Sequence, residues 1–107
     1  MNSSSIASKI NQYNSSLNKV GVVRNNLVSA IEVLSNIIDT QNSCYKLDDG
    51  SASGSYLNDL LEKEKGILSN IDSNVVPAIN RAIENLRYQY QAALQREAAE
   101  REASLNG

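Results

Sequence analysis

With 107 residues, ten basic and twelve acidic side chains, and a formal charge of −2, the chain is one small domain at most and has no basic patch with which to hold nucleic acid. Histidine is absent, Cys44 is the one cysteine and there is no glycine-rich phosphate loop, so no standard catalytic or metal-binding set can be assembled; neither enzymatic activity nor a cofactor is expected. No apolar run approaches the roughly 20 residues of a membrane span, and the polar start MNSSSIASKINQYNSS lacks the apolar core of a secretory signal, so the chain is expected to be cytoplasmic as made.

Helix one is predicted over about residues 3–40. From Ile6 the steps alternate between four and three through Ile10, Tyr13, Leu17, Val20, Arg24, Leu27, Ile31, Leu34 and Ile38. That alternation is a heptad seam, which keeps one stripe turned toward a neighbouring helix. Ser3, Ser4 and Ser5 are the candidate N-caps. Val23, Val28, Val33 and Ile37, with Val22 and Ala30, flank the seam and make this helix apolar over more than one neighbour's worth of its circumference.

A turn-rich segment, 41–55, follows. It contains Tyr45 and Asp49 and the small residues Ser53 and Gly54, and its length, far above the usual two to eight residues between bundle helices, marks it for recognition.

Helix two is predicted over 56–103, with Ser55 as N-cap. Its apolar positions are Leu57, Leu60, Leu61, Ile67, Leu68, Ile71, Val75, Ile79, Ile83, Leu86, Tyr90 and Leu94. From Leu68 their mean step exceeds 3.5. Pro77, the one proline, lacks a donor and crowds the carbonyl of Ser73, so a kink or a one-turn break is expected near 77 without a domain boundary. Beyond Leu94, QREAAEREASLNG keeps helix formers without large apolar side chains, and an overhang past the N-terminus is expected. Glu62 with Glu64, and Asp48 with Asp49, are carboxylate pairs read as a solvated helix face and a turn.

The fold these elements imply is all-α, two long antiparallel helices in one helical hairpin. Antiparallel neighbours then have numbers summing to about 96, which sets Arg24, the one charge in the first seam, beside Asp72, and sets Gly21 where a kinked backbone would need room. The apolar excess of helix one calls for completion to a bundle by a partner, a second hairpin identical or not. The residues expected to bind it are Val23, Leu27, Val28, Ile31, Leu34, Ile37 and Ile38; Tyr45, Asp49, Ser53 and Gly54 are the loop residues expected to serve recognition.

An acidic chain of this length, with two long helices around a small-residue turn, resembles the WXG-type helical hairpins of bacterial type VII secretion and the small helical partners of LXG toxins. The family's tryptophan-x-glycine turn is here Ala52-Ser53-Gly54, keeping the glycine and losing the ring. The tyrosine followed four residues later by an acidic residue is met by Tyr45 and Asp49, in the turn and not in the C-terminal tail. The resemblance implies a targeting partner or chaperone that pairs with a secretion substrate or a toxin's N-terminal helices, leaving the cell with it by a route other than the general secretory one. The alternative is a structural subunit that self-assembles through the same seam.

Overall fold

The computed structural model describes residues 2–45 and 52–106, with side chains described for 2–41 and 55–106. All of these residues except Asn2 are helical, in the order α1 (Ser3–Tyr45), α2 (Ala52–Asn70), a five-residue π turn (Ile71–Val75) and α3 (Val76–Asn106). The fold is an all-α helical hairpin. It divides into two compact units, one formed by Met1–Lys19 with Val76–Gly107 and the other by Val20–Val75.

The expected connection, 41–55, is shorter than its turn-rich composition suggested. α1 continues to Tyr45 and α2 begins at Ala52, so Ser55 lies inside a helix and does not cap one. The stretch from Gln41 to Tyr45 contains neither glycine nor proline, so nothing local stops the helix there.

In the first unit the start of α1 lies against α3. Ile6, Leu86 and Ala93 form a buried cluster with Ile10 and Tyr90 packed on it, and Ile83 is buried as well. Asn2 is the N-cap: its side-chain oxygen accepts from the Ser5 amide at 2.8 Å, and its carbonyl accepts from the Ile6 amide at 3.2 Å. Ser3, expected as a cap, is instead the first helical residue. Its amide and hydroxyl both donate to the Glu97 carboxylate, at 3.0 and 2.6 Å. A carboxylate from α3 thus meets the free amides at the positive end of α1. Past Glu97 every residue in 98–106 is exposed, and helix formers alone sustain the last turns of α3.

In the second unit the rest of α1 runs antiparallel to α2 and the π turn. Leu34 and Ile71 are its buried residues, and no large side chain is fully buried in either unit among the described residues. Arg24 and Asp72 form a two-pronged pair, with Nε donating to Oδ1 at 2.6 Å and the second nitrogen to Oδ2 at 3.1 Å. Both side chains are about two-fifths exposed. Gly21 is not needed for close approach, because a Cβ placed on it would meet nothing within 4 Å.

The π turn answers two demands at once. Pro77 cannot donate to the Ser73 carbonyl, and the irregularity expected near 77 takes the form of a widened turn in the five residues just before Val76. The covered positions also change frame there. Along α2 and into the π turn they include Leu57, Leu61, Glu64, Leu68 and Ile71, in steps of four and three; along α3 they include Ile79, Ile83, Leu86, Tyr90, Ala93 and Glu97, in the same alternation. Carried forward, the first series reaches Ala78 and Ala82, one residue short of the second. A π turn takes up one extra residue, so each frame keeps its stripe on the covered side.

Candidate functional site

The seven residues expected to bind a partner separate into two sets. Leu27, Ile31, Leu34 and Ile38 belong to the three-four seam and are buried or half-buried; Leu34, at 8% exposure, is largely taken up inside its own unit. Val23 and Ile37 remain exposed. Val28 is half-buried and lies about 140° around the helix from Val33, on the other flank of the seam.

The flank left open on α1 carries Val22, Val33 and Ile37 within about 60° of arc, with Val23 at its edge. Their exposures, 60% for Val22, 56% for Val23, 58% for Val33 and 44% for Ile37, show that α2 covers none of them well. Between residues 22 and 41 the same side of the helix holds Asn26, Ser29, Ala30 and Thr40 and no charge; Lys19, one turn before Val23, is the nearest charge on it. A seam three residues wide can face one neighbour only, and these side chains lie beyond its edge.

Between this flank and α2 runs an apolar groove. One depression of about 370 Å³ is lined by Ser29, Ala30, Val33, Leu34, Ile37, Leu60 and Glu64. A second, of about 330 Å³, shares Val33 and Ile37 and continues along α1 past Asn36, Thr40 and Gln41. Ile67, 55% exposed, follows Leu60 two turns on along the same side of α2. Sequence reasoning placed Leu60 and Ile67 in the covered stripe; Ile67 is instead open to water.

Glu64 corrects the reading of its surroundings as a solvated face. It occupies a seam position of α2, between Leu61 and Leu68, and its Oε2 is shut off from water with no hydrogen-bond partner among the described residues. An acceptor-only oxygen left this way costs free energy.

Two other carboxylates are well satisfied. The hydrogen bond from Arg24, aided by its charge, holds Asp72 below the ordinary carboxylate range against a weaker opposing effect of desolvation. The Ser3 hydroxyl, and then its amide, do the same for Glu97. Both groups sit at the surface, so water and salt screen these contacts.

Of the loop residues, Tyr45 ends α1 while Ser53 and Gly54 lie in the first turn of α2; Asp49 falls outside the described residues. Among the described residues no cluster of three or more His, Cys, Asp or Glu side chains could hold a metal ion, and no helix is long and apolar enough to cross a membrane. No family model, curated protein or solved structure matches the chain.

Proposed function

We propose that this hairpin is a non-catalytic binding module that docks a helix of another protein along the open flank of α1. The observation that carries the reading is the uncharged strip of Val22, Val23, Val33 and Ile37, each at least two-fifths exposed and bordering an apolar groove. An amphipathic helix laid into such a groove buries its apolar face against both walls and completes a bundle.

The partner class is drawn from the resemblance to type VII secretion hairpins. On that reading the docked helix belongs to a secretion substrate or to the N-terminal region of an LXG toxin. The hairpin serves as its targeting partner or chaperone, made in the cytoplasm and carried out with its cargo. The Tyr45 and Asp49 spacing and the glycine at 54 support the assignment, and the missing turn tryptophan favours a dependent partner over a self-sufficient substrate.

Co-expression with the product of an adjacent gene tests this directly. A stable one-to-one complex is expected, and Val33→Asp or Ile37→Asp should abolish it while the isolated chain keeps its helicity, since both positions are exposed. A chain that instead assembles only with itself into an oligomer or a fibre, in the presence of that product, would establish the structural-subunit alternative.

A further inference from the structure

The groove has a chemical preference as well as a shape. We infer that the helix it receives brings a lysine or arginine to the carboxylate of Glu64. The inference rests on the docking reading above and names the occupant by charge.

Glu64 lines the groove from α2 opposite Ala30 and Val33, and one of its oxygens has neither water nor a donor among the described residues. Rotation about the last bond of a glutamate side chain exchanges its two oxygens at little cost, so a donor entering the groove meets an acceptor without any backbone shift. Seating an apolar helix strips the remaining water from this carboxylate. A charge closed off in this way must be neutralised in place, and a cationic donor does so with a hydrogen bond about twice as strong as a neutral one gives.

The stretch of α1 that borders the groove has no cation to spare for the task. Residues 22–41 contain one basic side chain, Arg24, and it is held by both oxygens of Asp72. A second copy laying residues 22–41 of its own α1 into the groove would therefore arrive without a free positive charge and would leave Glu64 unpaired. Charge complementarity selects a different chain: an amphipathic helix with apolar residues at i, i+3 or i+4 and i+7, and one basic residue within that apolar stripe.

A display library of amphipathic helical peptides, with the positions inside the apolar stripe randomised, provides the test. It is selected in parallel on the full chain and on its Glu64→Leu and Glu64→Lys variants, each first checked for helicity by circular dichroism. The unaltered chain should enrich Lys or Arg at one stripe position by about tenfold or more over Gln, the scale of one charge-assisted bond. Glu64→Lys should transfer the enrichment to Asp or Glu at that position, and Glu64→Leu should remove any charge preference there. Enrichment of apolar helices with no basic residue, or a basic preference that persists in Glu64→Leu, overturns the pairing and leaves the docking reading standing. If no helical peptide is enriched over a Val33→Asp control, the docking reading falls and this inference with it.

Discussion

The two units of this hairpin use the same heptad grammar and finish it to different degrees. In the first, four buried residues, Ile6, Ile83, Leu86 and Ala93, serve two short helical stretches whose end is clasped by Glu97 on Ser3. The second has Leu34 and Ile71 buried, while Val22, Val23, Val33, Ile37, Tyr56 and Ile67 stay exposed beside a carboxylate oxygen with no donor. The first unit has its own exposed apolar side chains, Tyr13, Tyr88 and Leu105, but its seam is closed by Ile6, Leu86 and Ala93. The unit left incomplete is where binding energy is still to be had, and the docking proposed for this chain rests on that contrast in burial.

The largest effect should come from the finished core. Leu86→Ala, in contact with Ile6 and Ala93, is expected to cost about 2–5 kcal/mol in urea melts followed by circular dichroism, whereas Leu34→Ala beside an open groove should cost less. Equal losses at the two sites would erase the distinction. Next in size is Glu64→Leu, which should stabilise the isolated chain by about 1–3 kcal/mol by removing an unpaired acceptor from an apolar setting. A destabilised Glu64→Leu would mean the carboxylate is already satisfied.

The second unit also contains both mid-helix glycines for which open space is described. Gly21→Ala and Gly66→Ala should each add about 0.5–1 kcal/mol, because a Cβ at either position meets no neighbour within 4 Å and alanine has the better helix propensity. Loss of stability at either site would show that backbone freedom is needed there.

The smallest effect compares one carboxylate from each unit. Asp72 and Glu97 bind protons less readily in the folded chain than in the unfolded one. Their contribution is therefore complete above the ordinary carboxylate range and is lost as pH falls below about 4 through their depressed values. Thermal melts at low salt should show this acid-side decline, flattened in an Asp72→Asn, Glu97→Gln double variant and reduced by added salt. A decline of unchanged depth in the double variant would assign it to other groups.

Much of this architecture can be read from residue order alone. Of the ten positions in the first seam, only Tyr13 is left exposed, at 41%, because a stripe of large apolar residues every three or four positions has no better place than against a neighbouring helix. Arg24 could be paired with Asp72 for a related reason: a lone charge in such a stripe must find its opposite across the hairpin.

Other features depend on contacts that local rules do not see. Ser3 reads as a cap until Glu97, 94 residues away in the chain, claims its hydroxyl, and the cap passes to Asn2. Ala93, the most deeply buried of the described core residues at 1% exposure, escapes a search for large side chains because its small size is what fits it beside Ile6. Glu64 reads as part of a solvated face because a glutamate on a helix usually faces water; its place in the four-three series is the signal that it does not. The one-residue change of frame around Pro77 was likewise present in the spacing, visible once the positions on either side are taken as two series.

The clasp of Glu97 on Ser3 has a practical corollary for anyone building on this molecule. The amino end is occupied, since Asn2 and Ser3 spend their polar groups on closing the first turn of α1, and a fusion joined there crowds that closure. At the other extremity about 14 Å of helix, residues 98–106, has no side chain under cover. A fluorophore, a surface anchor or a reporter domain attached to that stalk would leave the buried cluster of its own unit untouched.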